Sequence, residues 1–236
     1  MKVTLVIPCY NEELRLDTKN FSGSDSLRFI FINDGSTDGT LSILNGISSD
    51  WVKVHNLPKN LGKAEAVRQG MLIGTKIFPD SDWIGFWDAD LATPLNQVEY
   101  MLMFKSLGGE EIDAIFGSRI LRLGANIKRN FIRHILGRFF VTYSSILLGS
   151  KAYDSQCGAK LFRTSIISVV FKSEFCSKWL FDMEIIQRLN LGNFKILECP
   201  LQTWRDVEGS KLNIFRDGFR AICDVVKIRM LYGKNN

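Results

Sequence analysis

The sequence predicts a Rossmann-like α/β fold in which helices cover both faces of a mostly parallel central sheet. Short continuous apolar runs of strand length alternate with longer segments of helical periodicity through the first half of the chain. Polar or charged residues follow these runs at once, as at the carboxyl ends of parallel strands, where such folds bind ligands. A chain of 236 residues without a linker, repeat or low-complexity tract is interpreted as one domain, 1–236.

Composition narrows the function classes. The chain is 46% hydrophobic and 23% charged, an ordinary globular balance. Its five cysteines include no Cys-x-x-Cys pair, which argues against a zinc site, and their odd number indicates free thiols in a reducing compartment. No Walker sequence and no Gly-x-Gly-x-x-Gly after the first strand are present, which argues against a P-loop NTPase and an NAD enzyme.

Charge is distributed unevenly along the chain. Up to Ser118 there are 10 Lys and Arg against 16 Asp and Glu, and from Arg119 onward there are 20 against 9. The basic half implies an anionic partner, which could be phosphate, anionic lipid or nucleic acid. Nucleic acid is disfavoured because aromatic and aliphatic bulk dominates the basic stretch and no nucleic-acid-binding motif occurs. The two halves, residues 1–118 and residues 119–236, are therefore expected to face different partners.

The first two strands each end on a polar loop. The run 3–7 is followed by Pro8 to Glu12, which offer an aromatic ring and polar groups for a base and a ribose, or simply form a βα loop. The strand 28–33 is followed by Asp34, whose carboxylate could accept a hydrogen bond from a nucleobase imino group. Ser36 or Thr37 is expected to cap the helix that runs through Leu44.

A short third strand, 51–54, precedes a helix that opens at 60–64 and runs to about Phe78. Gly62 and Lys63 at the helix start resemble a phosphate-facing turn, because they bring free backbone N–H groups and a cation together.

The fourth strand predicts a metal site. The apolar run Trp83 to Trp87 stops on Asp88 and Asp90, separated by one residue. In an extended chain positions i and i+2 point the same way, so both carboxylates can converge on Mg²⁺ or Mn²⁺ carried by a substrate phosphate. The alternative is a solvated turn after a strand.

The following elements lead into the basic half. A helix is expected from Thr93-Pro94 to Leu107 and a strand from 113 to 116, ending in Gly117-Ser118-Arg119. The stretch 127–148 places apolar and basic residues at helical spacing, which suits an anionic lipid surface, or alternatively an ordinary core-facing amphipathic helix.

The C-terminal third of the chain adds further elements. A turn and a short strand are expected over 154–162, a strand over 195–199 and a second basic amphipathic helix over 214–231. Asp182 and Glu184 lie at the start of another helix, where they either stabilise its N-terminus or line a site as sugar-hydroxyl acceptors or as a base.

Several of these motifs resemble one enzyme family. Val-Ile-Pro-Cys-Tyr-Asn-Glu at 6–12, Asn-Asp-Gly-Ser-Thr-Asp at 33–38 and Asp88-Ala89-Asp90 resemble the GT-A glycosyltransferases of family 2. The segments 154–162, 179–184 and 209–211 are similar to polyprenyl-phosphate sugar transferases, above all the dolichyl-phosphate β-glucosyltransferases, with the dolichyl-phosphate mannose synthases beside them.

The resemblance implies a GT-A fold and an inverting transfer of a hexose, glucose from UDP-glucose, to a polyprenyl or dolichyl monophosphate, assisted by Mg²⁺ or Mn²⁺. Its alternatives are a GDP-mannose donor, a hydroxyl acceptor on a glycan or lipid with Asp182 as base, and a non-catalytic subunit that binds nucleotide sugar or membrane. Residues 1–118 would bind the nucleotide sugar, and residues 119–236 would bind the acceptor.

The resemblance also implies roles for individual residues. The nucleotide-sugar-binding set is Pro8, Tyr10, Asn11, Glu12, Asp34, Lys63, Asp88 and Ala89. The acceptor-phosphate set is Arg119, Arg129, Arg133, Gln156 and Lys211. The metal ligands are Asp90 and Asp88, and the catalytic set is Asp88, Asp90, Asp182 and Arg119.

An attacking phosphate is already an anion near neutral pH, so neither His55 nor His134 is expected to act as a base. One departure concerns Asn33, where many relatives carry a second acid before the position of Asp34. Another is that Met1 leads directly into a strand-like run, so neither a signal peptide nor the N-terminal membrane helix of many relatives is expected. We therefore expect a cytoplasmic protein that associates peripherally with the cytosolic face of a membrane through its amphipathic segments or a membrane-anchoring partner. A homo-oligomer is the other assembly that we consider.

Overall fold

The computed structural model describes residues 1–47, 49–107, 111–128, 141–207 and 214–233, with the backbone alone for 214–221. Two compact units are distinguished, one of Met1–Leu91 with Gly158–Glu174 and one of Ala92–Cys157 with Phe175–Asn236. The division of the chain expected at residue 118 does not coincide with this one, because 92–118 belong to the second unit. The single domain 1–236 stays a prediction.

The described residues form strands and helices that alternate in the first half of the chain. The strands are Val3–Cys9 (β1), Leu27–Asn33 (β2), Val52–Asn56 (β3), Trp83–Trp87 (β4), Ala114–Ser118 (β5), Asn126–Lys128 (β6), Ala159–Arg163 (β7), Ile196–Pro200 (β8) and Thr203–Arg205 (β9). The helices are Thr40–Asn45 (α1), Lys63–Ile77 (α2), Asn96–Leu107 (α3), Thr164–Val170 (α4), Phe181–Leu191 (α5) and Ile214–Tyr232 (α6). Residues 141–148 are also helical, and Thr18–Phe21 form a 3₁₀ turn.

The first unit is built on five strands in the order β3-β2-β1-β4-β7. The pairs β1–β2, β2–β3 and β1–β4 are parallel, and β4–β7 is antiparallel. Helix α2 packs on β1, β2 and β4, and α4 packs on β4 and β7. All five residues of β4 are buried, which explains why its sequence is a continuous apolar run without alternation. The prediction of a mostly parallel sheet is confirmed.

In the second unit β5 pairs in parallel with β8, and β6 pairs in parallel with β9. Helix α3 packs on β5 and β8, and α5 packs on α6. None of the helices in the described ranges combines the length and the apolarity that crossing a bilayer requires.

Two predicted helix starts are wrong. Helix α1 begins at Thr40, its N-cap residue is Gly39, and the Thr40 N–H donates to the Asp38 carboxylate at 3.0 Å, so neither Ser36 nor Thr37 is the cap. The Ser36 hydroxyl accepts a hydrogen bond from the Asn11 N–H at 3.0 Å, so it does not cap the helix. Residues 126–128, expected to lead into a helix, form β6, since backbone pairing with β9 overrides the helical spacing of their side chains. Residues 129–140 of that predicted helix lie outside the described residues.

Candidate active site

The loop after β1 contacts the loop after β2 through Asn11. Its N–H donates to the Ser36 hydroxyl, and its side-chain oxygen accepts from the Thr37 N–H at 2.9 Å. Asn11 has a φ of 53°, in the left-handed region that asparagine tolerates better than most residues. The preceding residue, Tyr10, is 39% exposed and follows the carboxyl end of the strand.

Pro8 lies inside β1 in register with Ile32, and the next residue, Cys9, is 1% exposed. Glu12 accepts a hydrogen bond from the Arg15 guanidinium at 2.7 Å, and its N–H donates to the Thr40 hydroxyl at 2.8 Å. Burial and the nearby Glu12 charge raise the pKa of the Cys9 thiol far above its ordinary value. Cys9 therefore stays protonated and is not a nucleophile.

Asp34 fixes the turn that opens α2. It is 2% exposed, and its two carboxylate oxygens accept hydrogen bonds from the N–H groups of Leu61 at 2.7 Å and Gly62 at 2.9 Å. Gly62 has a φ of 96°, which glycine adopts without strain. Asp34 thus fixes the turn that opens α2, and both the phosphate contact expected for that turn and the nucleobase contact expected for Asp34 stay predictions.

Lys63 and Asp88 are brought together. Lys63 is the first residue of α2, and its Nζ lies 2.5 Å from Asp88 Oδ1 just after β4. Their side chains are 44% and 36% exposed. A pair this exposed contributes about 0–1 kcal/mol to stability, so either partner can exchange the other for a ligand at little cost.

The two aspartates at the end of β4 lie on a turn. The strand ends at Trp87, and the Leu91 N–H donates to the Asp88 carbonyl at 3.2 Å. The expected convergence of the two carboxylates requires an extended backbone from Asp88 to Asp90, and the strand ends before Asp88. Asp88 and Asp90 are both partly exposed, with the buried Ala89 between them. Their roles as metal ligands stay predictions.

The residues at this turn fit a divalent ion in the chemistry of their donors. Carboxylate oxygens are the ligands that Mg²⁺ and Mn²⁺ prefer, and Mg²⁺ commonly takes only one or two from the protein, with substrate phosphate and water completing the shell. Within the described ranges no group of three or more His, Cys, Asp or Glu side chains is placed to hold a metal ion.

Gly158 contacts Asp88 at the end of β4, and no role was predicted for this glycine from the sequence. Its carbonyl accepts from the Asp88 N–H at 3.1 Å. A Cβ added to Gly158 would lie 1.8 Å from Asp88 Oδ2, so the carboxylate occupies the space that any side chain would need. A glycine just before β7 is visible in the sequence, but its contact with Asp88 follows only from the antiparallel pairing of β7 with β4.

In the second unit Arg119 is held by Asp154. Its Nε and one terminal nitrogen donate to the two carboxylate oxygens, each at 2.7 Å, and its backbone N–H donates to Oδ2 at 3.0 Å. The guanidinium lies 5.3 Å from the centre of the Trp204 ring. Glu198 in turn accepts from the N–H groups of Tyr153 at 2.8 Å and Asp154 at 2.7 Å.

This chain of contacts fixes Arg119 rigidly through one edge of its guanidinium. A guanidinium carries five N–H groups in a planar fork, a geometry that suits a bidentate phosphate contact. Asp154 is the first acidic residue after Asp113. This isolation is the feature of the sequence that could have identified it as the partner of Arg119. The phosphate role of Arg119 stays a prediction.

The remaining acceptor-side residues are placed as follows. Gln156 is partly buried, and Arg129, Arg133 and Lys211 lie outside the described residues. Asp182 is 8% exposed on the first turn of α5. Glu184 is 1% exposed and accepts hydrogen bonds from three protein donors, so it acts as a structural anchor.

Comparison with known proteins gives the following matches. A model described as Glycosyl transferase family 2 matches residues 4–171. The dolichyl-phosphate beta-glucosyltransferase of Homo sapiens is 30% identical over 257 residues, which cover 98% of this chain and 76% of the relative. The enzyme of that name from Dictyostelium discoideum is 28% identical over 251 residues, covering 98% and 74%.

Among solved structures, glucosyl-3-phosphoglycerate synthase from Mycobacterium tuberculosis in complex with Mn²⁺, UDP and glucosyl-3-phosphoglycerate matches with a TM-score of 0.66. The match covers 98% of this chain and 80% of that chain at 18% identity. A likeness at this identity is one of fold.

Proposed function

The chain belongs to glycosyl transferase family 2, and from this premise we propose that it transfers glucose from UDP-glucose to a polyprenyl or dolichyl monophosphate. It has the GT-A fold and is a glycosyltransferase. The observation that carries the donor side of the proposal is the contact of Lys63 with Asp88 beside Gly158 at the end of β4. The acceptor and the sugar rest on the similarity to dolichyl-phosphate beta-glucosyltransferases over nearly the whole chain.

On the donor side, residues after β1 would bind the base of the nucleotide, and residues at the start of α2 would bind its diphosphate. The exposed Tyr10 side chain would stack on the base. Asp34 accepts hydrogen bonds from the Leu61 and Gly62 N–H groups and so fixes the turn that opens α2, and the positive N-terminus of that helix would face the diphosphate. Lys63 adds a positive charge where the leaving diphosphate gains negative charge. Asp88 and Asp90 would hold Mg²⁺ or Mn²⁺, which supplies further stabilisation of that charge without proton transfer.

On the acceptor side the nucleophile is an oxygen of the lipid phosphate. This oxygen attacks the anomeric carbon, the bond from that carbon to the diphosphate oxygen breaks, and UDP leaves with the bonding electrons, so the configuration inverts. Arg119, held at one edge by Asp154, is preorganised to orient such a phosphate. Asp182 is our candidate for contact with the sugar or the acceptor.

We also propose that the protein attaches peripherally to the cytosolic face of a membrane. On α6 the side chains of Ile222, Val226 and Met230, spaced by four residues, are 44%, 39% and 69% exposed. Ile146, in the helical segment whose Leu147 carbonyl accepts from Arg229, is 75% exposed. An apolar stripe beside basic residues suits the boundary of an anionic bilayer. Flotation with anionic vesicles, lost in Val226→Asp with Met230→Asp, is the expected result, and no flotation of the parent chain refutes attachment through lipid.

The function is tested by a donor-by-acceptor assay with Mn²⁺ or Mg²⁺. Labelled UDP-glucose, GDP-mannose and UDP-N-acetylglucosamine are each offered with a polyprenyl phosphate, and the product is extracted into organic solvent. Metal-dependent transfer from UDP-glucose, lost in Asp90→Ala, is the expected result. Transfer from GDP-mannose alone refutes the choice of sugar. Donor hydrolysis without lipid product refutes the phosphate acceptor and favours a hydroxyl, and donor binding without turnover favours a binding subunit.

A further inference from the structure

The segment before α5 is held by the C-terminal helix α6 through one serine. The Ser177 hydroxyl donates to Asp224 Oδ2 at 2.6 Å. The Ser177 oxygen also accepts hydrogen bonds from the N–H groups of Leu180 at 2.8 Å and Trp179 at 3.2 Å. Ser177 is 1% exposed, and its hydrogen bond from the Leu180 N–H is buried.

These contacts depend on one another. A hydroxyl that accepts from two N–H groups must send its own proton elsewhere, and the Asp224 carboxylate receives it in a short charge-assisted bond. The first N–H groups of a helix have no partner inside the helix, and Leu180 at the N-cap offers no side-chain hydrogen bond to them. The Ser177 hydroxyl therefore fixes the backbone just ahead of α5, and Asp224 fixes the hydroxyl.

The same helix also holds the other side of this segment. The Tyr232 hydroxyl donates to Glu184 Oε1 at 2.7 Å and accepts from Arg188 Nε at 3.1 Å. Glu184 Oε2 accepts from the Cys176 N–H at 2.8 Å. Asp224 and Tyr232 are eight residues apart on α6, so the helix holds the stretch from 176 to 184 at two points.

Asp182 lies between these two points. It is 8% exposed on the first turn of α5, two residues after Leu180 and two before Glu184. The direction of its side chain is therefore set by backbone that Ser177 and Glu184 hold, and through them by α6.

We propose that Asp224 is a positioning residue for the transfer reaction, which acts through the Ser177 hydroxyl on the backbone that carries Asp182. The inference rests on the proposed function, because Asp182 is placed there against the sugar or the acceptor. Asp224 touches no substrate in this arrangement. Its loss lets the first turn of α5 move, and displacements of about 1 Å at a reacting group can cost on the order of 100-fold in rate.

The test compares Asp224→Ala, Asp224→Asn and Ser177→Ala with Lys227→Gln as the matched control. Lys227 lies 3.6 Å from Asp224 on the same helix and is 61% exposed, so its substitution removes a charge partner but leaves the serine contact. We expect Asp224→Ala and Ser177→Ala each to lower kcat by about 10- to 100-fold with the KM for UDP-glucose unchanged. Asp224→Asn keeps an acceptor oxygen and restores most of kcat, and Lys227→Gln stays near the parent rate.

A second readout does not depend on activity. Hydrogen exchange at the amides of Trp179 and Leu180 is expected to accelerate in Asp224→Ala, while exchange in β1 stays unchanged and the thermal midpoint falls by only a few degrees, because one buried hydroxyl loses its acceptor. The double variant Ser177→Ala with Asp224→Ala is expected to be no slower than the slower single variant, because each substitution removes the same hydrogen bond between Ser177 and Asp224.

The outcomes separate this inference from the proposed function. Loss of transfer in Asp182→Asn together with a parent-like kcat in Asp224→Ala overturns the positioning role alone. A kcat that falls only in step with the thermal midpoint overturns it as well. Parent-like transfer in Asp182→Asn refutes the role of Asp182 and the inference with it. If the parent chain makes no glucosyl lipid, the proposed function fails first.

Discussion

Replacing Gly158 by alanine should displace the Asp88 carboxylate. The added Cβ would lie 1.8 Å from Oδ2 and 2.3 Å from Cγ of Asp88. Ordinary van der Waals contact begins at about 3.4 Å, so Oδ2 must move by about 1.6 Å, the difference between the two distances. The backbone cannot open easily, because the Asp88 N–H is bonded to the Gly158 carbonyl in the β4–β7 pair. The side chain has to rotate away instead.

The magnitude follows from that displacement. A functional group has to stay within about 0.5 Å of its productive place, and a shift of about 1 Å can cost on the order of 100-fold. We therefore expect kcat/KM for UDP-glucose to fall by roughly 100-fold and the Mn²⁺ concentration for half-maximal rate to rise. Overpacking one methyl group costs about 1–3 kcal/mol of unfolding free energy, which leaves the fold intact.

The assay is labelled glucosyl-lipid formation at a series of Mn²⁺ concentrations, with urea unfolding of the same samples. Gly74→Ala in α2 is the control, because its Cβ would meet Ile84 at 3.3 Å, a contact close to normal. Its rate should stay within about twofold of the parent, since alanine favours a helix by about 0.5–1 kcal/mol relative to glycine. A Gly158→Ala variant with parent-like kcat/KM and metal dependence would show that Asp88 does not act where we place it.

Three further predictions concern the charged residues. Lys63→Met should lower kcat/KM for UDP-glucose by about 10- to 1000-fold while the unfolding free energy changes by less than about 1 kcal/mol, because the pair with Asp88 is exposed; an unchanged rate refutes the diphosphate role. Asp154→Asn should lower the unfolding free energy by about 2–4 kcal/mol in urea, since it leaves the largely buried Arg119 without its carboxylate; a loss below about 1 kcal/mol contradicts this. Hydrogen bonds from Arg68 hold the pKa of Glu65 in the folded protein below its usual range. The ionised Glu65 therefore stabilises the folded state fully above the unfolded pKa near 4.5, and this contribution is lost as the pH falls through the lower pKa of the folded state. The stability gap between the parent and Glu65→Gln should therefore shrink from about pH 6 to about pH 3, and a constant gap refutes the linkage.

The sequence predicts the regions of the fold that one local pattern determines. Strands β1, β2 and β4 are continuous apolar runs in the sequence and buried strands in the structure. The start of α1 was mispredicted because Ser36 and Thr37 contact Asn11 in the neighbouring loop, whereas Asp38 accepts the hydrogen bond from the Thr40 N–H. The strand β6 was missed because its pairing with β9, about 77 positions later, outweighs a local helical pattern.

Site residues divide in the same way. The motifs identify Lys63 and Asp88, and the structure brings both together. The partner of Arg119 is Asp154, 35 residues away, and no local pattern contains that pairing. Gly158 matters because a neighbouring strand places Asp88 against it, and this fact exists only once β4 and β7 are paired. Chemistry is readable from residue type, whereas the contacts that orient a group depend on tertiary structure.

The surroundings of the acids argue for which of them carries the chemistry. Asp34 is 2% exposed, and both of its oxygens accept from backbone N–H groups, so exchanging a partner there would break the turn before α2. Glu184 is 1% exposed and anchors three protein donors, and Asp154 is committed to Arg119. Binding a ligand with one of these carboxylates would leave its buried donors unpaired, and each unpaired donor lowers the stability of the fold by about 1–3 kcal/mol. Asp88 differs, because 36% of its side chain is exposed and the ammonium beside it is itself 44% exposed. A carboxylate that can exchange its partner without breaking the fold is suited to the metal contact that we propose for Asp88 together with Asp90.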